Sequence, residues 1–354
     1  MGGKKPVTRG DNRVTKLNIR SKIKKLKEIF KGKNSLLILM QDNPDPDSIA
    51  AAIALRKLAN SLGDIKCAIA HGGTVGRGEN RALVHYLNLN LYQCDQIIYE
   101  KYDLIGMVDT QPGTGNNSLP EIIVPDIVFD HHPIKKITRS AKFFDIRSKY
   151  GATSTIFFEY LTELNIEIDM HLATALLYAI QSDTQDLGRE ATNADIKAIE
   201  ILYLFANKRM LSEIQHGSVQ REYFKTLTEA LNNAYVYENC VISNLGVTNN
   251  PDMIAEAADL LLRDENIESA ICYGYCQDKL LFSVRTTVSL KIADKIAKYI
   301  AARRGTGGGH QTYAGGQIPL NNQTAPQLKK LEKVIRNKAL HILSINCNGG
   351  KKLI

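Results

Sequence analysis

The sequence has no long apolar run, no Cys-x-x-Cys pair and no fixed-period repeat. No apolar stretch approaches the length of a membrane span, and none precedes Leu36, so we expect neither a membrane partner nor a signal peptide. The six cysteines are scattered, which favours reduced structural thiols in a cytoplasmic protein over a disulfide framework. No low-complexity linker interrupts the chain.

The positive charge of the chain is concentrated at its start. The whole chain carries a net charge of +8, whereas residues 1–33 alone contribute +10, so the remainder is slightly acidic at −2. Residues 14–31 fit a lysine-rich amphipathic helix, but for this basic arm as a whole we favour a solvated, partly disordered tail. A weak electrostatic contact with RNA or another polyanion is the alternative.

The length of 354 residues, with 44% apolar and 23% charged residues, is sufficient for two domains with proper cores. In the first half, strands alternate with helices, which predicts an α/β fold with a parallel sheet. The predicted strands are 36–40, 65–70, 96–100, 104–108 and 125–129, and the predicted helices are 48–61, 80–89, 151–165 and 173–181. A helical connector and then a smaller α/β domain, with strands at 237–245, 269–275 and 280–285 and helices at 252–263 and 291–304, are expected to follow.

The stretch from Leu36 to Ser48 combines a buried strand, an acidic turn and the start of a helix. Two prolines end the strand and stiffen the turn that carries Asp45 and Asp47. Carboxylates are the hard oxygen ligands that Mg²⁺ or Mn²⁺ prefers, and a helix start favours phosphate. The alternative is an ordinary acidic turn in which Asp47 or Ser48 caps the helix.

Further polar residues stand at the ends of other predicted elements. Asp109 and the pair His131 and His132 each follow a buried strand, and Asp183 ends a helix. Because the carboxyl ends of parallel strands meet at one edge of a sheet, we expect these side chains to converge with those of the acidic turn.

Such a group of carboxylates would repel one another without a cation. Two metal ions relieve the repulsion, with Asp109 as a candidate bridge, and they activate a water for in-line attack at phosphorus. The mixture of carboxylate and imidazole favours Mn²⁺, with Mg²⁺ as an alternative. An ordinary cap or turn would explain each residue alone but explains the combination poorly.

A glycine cluster at 307–316 is a separate signal. Gly308 and Gly309 lack side chains, so that backbone N–H groups can approach a ligand, and His310 adds a donor. This arrangement is typical of a phosphate or nucleotide site. A flexible loop is the alternative.

Together these motifs resemble the DHH phosphoesterase superfamily with its associated DHHA1 domain. The resemblance covers about residues 34–345 and rests on Asn43–Asp47, Val108–Thr110, Asp130–His132, Ser182–Thr184 and Gly307–Gly316. It implies an N-terminal parallel-sheet DHH catalytic domain and a C-terminal DHHA1 substrate-binding domain with a cleft between them. The implied organisation is a basic arm at 1–33, a DHH domain at 34–193, a connector at 194–232 and a DHHA1 domain at 233–346.

The resemblance also implies roles for the matching residues. For metal binding these are Asp45 and Asp109 at one Mn²⁺ and Asp47, Asp109, His131 and Asp183 at the other. For substrate they are His132, which contacts the phosphate, and Arg285, Gly308, Gly309 and His310. Many members carry a metal-binding His four residues before the first motif Asp. This chain has Gln41 there, which weakens the first metal site.

The function implied is hydrolysis of short RNA or small nucleotides by a two-metal activated water. Within the superfamily the layout is similar to the oligoribonuclease and 3′,5′-bisphosphate nucleotidase type. RecJ exonucleases and manganese inorganic pyrophosphatases share the first domain. The alternatives are pyrophosphate or polyphosphate hydrolysis, which the glycine–histidine stretch disfavours, and a nucleotide-binding regulatory protein, which Gln41 favours. Substrate length, RNA versus DNA and the oligomeric state, with a homodimer as one option, stay open.

Overall fold

The computed structural model describes residues 9–189, 191–287, 289–320, 323–347 and 349–354. The chain divides into two compact units, the first ending at Ser218 and the second beginning at Val219. Among the described residues, no helix combines the length and the apolar character needed to cross a membrane.

The first unit contains a six-stranded sheet in which every neighbouring pair is parallel. Its strands are β1 (Ser35–Leu39), β2 (Lys66–His71), β3 (Leu91–Gln93), β4 (Leu104–Val108), β5 (Ile127–Asp130) and β6 (Phe143–Ile146). The spatial order is β3-β2-β1-β4-β5-β6, so the direction of strand succession reverses between β1 and β4. In open α/β sheets this switch point is where ligands bind. The predicted parallel α/β fold is confirmed.

Seven helices are described in this unit. They are α1 (Arg9–Phe30), α2 (Pro46–Gly63), α3 (Gly78–Tyr86), α4 (Thr153–Glu163), α5 (Met170–Thr184), α6 (Asn193–Phe205) and α7 (Lys208–Gln215). Alternate residues of β1 point to opposite faces, and both faces are buried: Leu36 and Ile38 lie in one core cluster, Leu37 and Leu39 in another. This two-sided burial explains the continuous apolar run. The alanines of α2 are buried as well, so that α2 packs closely on α4 and α5.

The predicted disordered tail is wrong for residues 9–30, which form α1. This helix buries Ile19, Ile23, Leu26 and Phe30 in the main core of the first unit. Burial of these four large apolar side chains, at roughly 1.5–3 kcal/mol each, favours packing of this lysine-rich segment against the core. The predicted amphipathic helix at 14–31 is confirmed. Residues 1–8 of the basic arm lie outside the described residues.

The strand predicted at 96–100 is also wrong. Cys94–Gln96 and Tyr99–Lys101 are single 3₁₀ turns, and Ile98 between them is 52% exposed. The edge position beside β2 is taken instead by β3, whose three residues pair with the end of β2. A partner strand, rather than the β propensity of an isoleucine pair, decides which segment joins the sheet. The sequence also did not reveal β6, which pairs with β5.

The second unit contains a seven-stranded mixed sheet in the order β11-β12-β10-β9-β8-β7-β13. Only β8 and β9 pair in parallel among its described strands. The elements are α8 (Arg221–Asn232), β7 (Ala234–Tyr237), β8 (Cys240–Val247), α9 (Asp252–Leu261), β9 (Ser269–Cys276), β10 (Lys279–Thr286), α10 (Ala293–Ala301), β11 (Thr306–Gly309), β12 (Tyr313–Pro319), α11 (Ala325–Ile342) and β13 (Lys351–Lys352). The smaller second α/β domain is confirmed. Its β12 and α11 were not predicted.

Candidate metal centre

Four of the predicted site residues meet at the switch point of the first sheet. Asp47, Asp109, His131 and Asp183 each offer a ligand atom, and these four atoms lie within 4.8 Å of one another. Asp47 stands in the first turn of α2, the helix that follows β1, while Asp109 and His131 come directly after the strands β4 and β5. Asp183 lies in the last turn of α5, which packs beside α2. The sheet order therefore assembles the cluster from four distant segments.

The carboxylate of Asp47 is fully buried and is held by the start of α4. It accepts hydrogen bonds from the backbone N–H groups of Thr153, at 2.7 Å, and Ser154, at 2.8 Å. These are two of the N–H groups that a helix start leaves without an intrahelical partner, and the helix dipole there favours an anion. The carboxylate is thereby fixed, and each oxygen keeps a further lone pair for another partner.

Asp109 turns the chain sharply at the end of β4. Its φ of 56° is in the left-handed region, which Asp tolerates better than most residues. The side chain is buried, and its Oδ1 accepts a hydrogen bond from the hydroxyl of Thr153 at 2.9 Å. The same residue therefore orients both Asp47, through its backbone, and Asp109, through its side chain.

The ring of His131 is oriented from behind by the carbonyl oxygen of Tyr150. That oxygen lies 3.1 Å from Nδ1 and can only accept, so Nδ1 carries the hydrogen. Nε2 faces the cluster, 3.3 Å from Asp183 Oδ2 and 3.5 Å from Asp109 Oδ1. A backbone carbonyl holding one ring nitrogen while the other faces the ligands is the arrangement of metal-binding histidines.

The carboxylates of the cluster carry excess negative charge, which a cation would balance. Burial, together with the charges of Asp47, Asp45 and Asp183, raises the pKa of Asp109 well above its usual value. Burial likewise raises the pKa of Asp183 to about 7, although the hydrogen bond from His131 opposes this. Burial disfavours the charged form of His131, but the hydrogen bond and charge of Asp183 outweigh it and raise that pKa to about 10. A protonated His131 therefore supplies the positive charge when no metal does.

The donor set fits a divalent metal. Three carboxylates and one imidazole are ligands of the kind that Mn²⁺ accepts. A bound ion would replace the proton of His131 and would offset the repulsion among the carboxylates.

The pKa shifts predict that metal binding strengthens as pH rises. Below pH 7 a proton competes for Asp183, and below about pH 10 one competes for His131, so both must leave when a metal binds. We expect release of at least one proton per Mn²⁺ at pH 8 and of more at pH 6, with weaker affinity at pH 6. Calorimetric titration in buffers of different ionisation enthalpy measures this release. Binding with no proton release would contradict the proposed ligands.

His132 is held by a second, separate network. Its Nδ1 lies 2.8 Å from Asp130 Oδ1, and Gln111 donates to the other oxygen of Asp130 at 2.6 Å. Burial raises the pKa of Asp130, but the charge and hydrogen bond of His132 dominate and lower it to about 2. The side chain of His132 is 37% exposed. Gln111 was not predicted from the sequence. The signal that could have identified it is its position two residues after Asp109.

Asp45 does not belong to the four-residue group. It is the cap of α2, since its carboxylate accepts a hydrogen bond from the Ser48 N–H at 2.9 Å. The alternative of a helix capped by Asp47 or Ser48 is therefore wrong in its residue, because the cap is Asp45. Asp45 is nevertheless close, because its charge contributes to the raised pKa values of Asp47, Asp109 and Asp183.

Gln41, at the end of β1, interacts with a neighbouring polar loop. Its Oε1 accepts a hydrogen bond from Asn116 Nδ2 at 3.3 Å, and Asn116 Oδ1 in turn accepts one from the Thr110 hydroxyl at 2.8 Å. His71, at the end of β2, is buried, and its Nδ1 lies 2.7 Å from the Gly72 carbonyl. Its other ring nitrogen is the one left for further interaction.

In the second unit, Arg285 is paired rather than isolated. Its Nε lies 2.5 Å from Asp259 Oδ1 and its Nη1 donates to the Ser283 hydroxyl at 2.7 Å. The guanidinium carbon also lies 6.0 Å from the centre of the Tyr313 ring. The ring of His310 stacks on the same Tyr313 ring, with 4.5 Å between the two ring centres. Tyr313 thus connects the two predicted substrate contacts.

Most of the glycine cluster lies in β11 and β12, with a short connection at 310–312, which contradicts the alternative of a flexible loop for the strand residues. A Cβ on Gly307 would lie 2.6 Å from the Ala297 carbonyl oxygen of α10, and one on Gly309 would lie 2.6 Å from Ala314 Cα. Gly309 also has a φ of 146°. Gly308 alone of the three has nothing within 4 Å of that position. Two of the glycines serve packing, and Gly308 is the one that leaves space for a ligand.

Comparison with known proteins gives the same two-part division. The family "DHH family, N-terminal domain" matches residues 35–180, and the "DHHA1 domain" matches residues 234–337. An uncharacterized protein of Methanocaldococcus jannaschii is 36% identical over 321 residues, covering 88% of this chain and 65% of that protein. A probable manganese-dependent inorganic pyrophosphatase of Lactobacillus gasseri is 30% identical over 168 residues, covering 47% of this chain and 53% of that protein.

The chain thus spans somewhat less than two thirds of the first relative and about half of the second. Among solved structures, an exopolyphosphatase-related protein from Bacteroides fragilis superposes with a TM-score of 0.70 at 16% identity, covering 92% of this chain and 98% of that one. RecJ from Thermus thermophilus, in complex with Mn²⁺, superposes with a TM-score of 0.51 at 14% identity, covering 91% and 55%. These two likenesses concern the fold. With both family domains present in order and the four-residue cluster at the switch point, the chain belongs to the DHH/DHHA1 phosphoesterase superfamily.

Proposed function

We propose that this protein is a metal-dependent hydrolase of phosphate esters in short oligonucleotides or small nucleotides. The observation that carries the proposal is the convergence of Asp47, Asp109, His131 and Asp183 within 4.8 Å. Each of the three buried members is fixed by a hydrogen bond from outside the cluster. Such fixing lowers the cost of assembling a site when substrate binds.

Different residues of the chain would have different roles in this hydrolysis. A divalent ion bound by the cluster would lower the pKa of a water and stabilise negative charge at phosphorus. Asp109, whose pKa the charges of both Asp47 and Asp45 raise, would be the ligand shared by two ions. His132, whose Nδ1 Asp130 holds, would donate a hydrogen bond to a phosphoryl oxygen. We assign the binding of the nucleotide to the second unit, through Arg285, Gly308 and His310.

A substrate panel tests this assignment. Dinucleotides, longer RNA, adenosine 3′,5′-bisphosphate, cyclic dinucleotides and pyrophosphate would each be incubated with the protein and Mn²⁺. We expect the highest kcat/KM for a short nucleotide substrate. A clear preference for pyrophosphate would contradict the nucleotide assignment, and hydrolysis of none would favour a regulatory protein.

The residues of the second unit are expected to govern KM. Arg285→Ala removes a charge-assisted contact with a phosphate, worth roughly 1.5–3 kcal/mol, or about 10- to 150-fold in affinity. His310→Ala should act in the same direction. Lys279→Ala, at the start of β10, provides a control for loss of charge on the same strand. Steady-state kinetics with a nucleotide substrate measure the effect, and KM values equal to that of the parent would exclude these contacts.

Gln41 is expected to weaken one of two metal sites. A primary amide offers only a neutral carbonyl oxygen, which binds Mn²⁺ less well than imidazole does, so one ion should bind tightly and one loosely. Gln41→His should tighten the loose site and raise activity at low Mn²⁺. Calorimetric titration of both proteins distinguishes the outcomes. Two equally tight sites in the parent, unchanged by the substitution, would show that another residue, such as His71, completes the first site.

A further inference from the structure

A cavity of about 380 Å³ lies in the first unit, between α2, the end of α3 and the start of α5. Its wall includes apolar side chains, among them Leu87, Leu89 and Leu172, and basic side chains, among them Arg56, Lys57 and His171. Its volume falls in the range of small-molecule sites, which combine an apolar wall with a few polar groups. Neither the proposed reaction nor the family comparison assigns a role to this cavity.

The cavity is distinct from the metal centre. Arg56 lies nine residues beyond Asp47 on α2, which at 1.5 Å per residue is roughly 14 Å along the helix axis. His171 lies twelve residues before Asp183 on α5, or roughly 18 Å along that helix. Each helix therefore has one end at the metal centre and contributes residues farther along to the cavity. A ligand in the cavity does not touch the cluster.

The charge in the cavity is unbalanced. Among the described residues of its wall, Asp169 is the one acid, and its carboxylate already has partners. Lys57 donates to one oxygen at 2.9 Å, and the N–H groups of His171 and Leu172 donate to the other. Arg56 is half-buried, and within the described part of the chain no hydrogen bond or ion pair reaches its guanidinium. A guanidinium that no carboxylate engages is available to bind an anion from solution.

We propose that this cavity binds a nucleoside monophosphate. The phosphate would contact the planar fork of Arg56, with His171 beside it, since a guanidinium matches the geometry of phosphate oxygens. The base or the sugar would lie against the leucines of the apolar wall. The anion site follows from the cavity alone, whereas the choice of a nucleotide rests on the proposed function, whose hydrolysis products are of this class.

Calorimetric titration of AMP into the full chain tests the proposal, with Arg56→Gln and Ser61→Trp as the key variants. Arg56→Gln removes the charge, and Ser61→Trp, at an exposed position of the cavity rim, fills the space while keeping the charge. Lys197→Gln, exposed on α6 and outside the cavity, is the matched control for one lost positive charge. Inorganic phosphate is titrated in parallel.

Beside any AMP binding at the proposed substrate contacts of the second unit, we expect a saturable AMP site that Arg56→Gln weakens at least about tenfold, that Ser61→Trp removes and that Lys197→Gln leaves unchanged. The site should persist in Asp109→Asn, so that a failure of the proposed hydrolysis does not affect this test. AMP binding equal in Arg56→Gln and the parent, or no saturable binding, would overturn the proposal. Inorganic phosphate binding as tightly as AMP would overturn the assignment to a nucleotide.

Discussion

Asp109→Asn is expected to lower turnover on the order of 10³-fold or more, the largest effect of any single substitution in this chain. Asp109 is a buried carboxylate whose pKa is raised by burial and by four neighbouring acids, and its oxygen lies within 4.8 Å of the ligand atoms of the other three members of the cluster. Loss of its charge removes a ligand from the middle of the site. Asp45→Asn should lower turnover less, because Asp45 lies outside the four-residue group. The carboxylate of Asp45 serves as a helix cap.

The fold should survive Asp109→Asn. Asparagine is close in shape, tolerates the left-handed φ of 56° and can still accept the hydrogen bond from Thr153. Removal of one negative charge also relieves repulsion in the cluster. Circular dichroism and thermal unfolding would check the fold, and Asp95→Asn, at an exposed position, provides the control. Near-normal turnover in the Asp109 variant would show that Asp109 is not a ligand.

Chelation is expected to abolish activity altogether, and added Mn²⁺ should restore it. Without a cation, the buried carboxylates repel one another, and His131 holds a proton where the metal would bind. The chelated protein should also unfold at a lower temperature, because an ion at 100 times its Kd stabilises the folded state by about 2.7 kcal/mol. Activity assays and thermal unfolding in EDTA, with and without excess Mn²⁺, measure both effects. Full activity in excess EDTA would refute metal dependence.

The identity of the cluster could be predicted from sequence because each member stands at the end of a strand or helix. The apolar runs that precede Asp47, Asp109 and His131 mark buried parallel strands, and parallel strands bring their carboxyl ends to one edge. The predicted grouping of these three with Asp183 is what the structure shows. Asp45 was placed with them by spacing, whereas the structure shows its carboxylate capping α2.

The residues that orient the cluster could not be predicted in the same way. Thr153 and Tyr150 act largely through backbone groups, and every residue type carries a backbone N–H and carbonyl. Their contacts also span from 19 to 106 residues along the chain, so that only the folded sheet brings them together. The same limit explains β3 and β6, short edge strands whose pairing depends on a neighbour rather than on their own sequence.

In the second unit, the glycine cluster was predicted to let a ligand approach the backbone. The structure shows a second use of glycine, which is close packing between neighbouring elements. Missing side chains at Gly307 and Gly309 allow β11 to approach α10 and β12, while Gly308 alone faces open space. Arg285 was predicted as a substrate contact, and the structure adds its ion pair with Asp259, which any phosphate must compete with or extend. Sequence shows which residue types are present, but not which of their groups are already used.

The most direct test of the central claim is an anomalous difference map from crystals of this protein grown with Mn²⁺. We predict a strong peak among the carboxylate oxygens of Asp47, Asp109 and Asp183 and Nε2 of His131, with a second, weaker peak on the Asp45 side of Asp109. The strong peak should disappear in Asp109→Asn crystals grown under the same conditions. Ordered carboxylates with no anomalous peak between them, at saturating Mn²⁺ and pH 8, would contradict the assignment of this cluster as a metal centre.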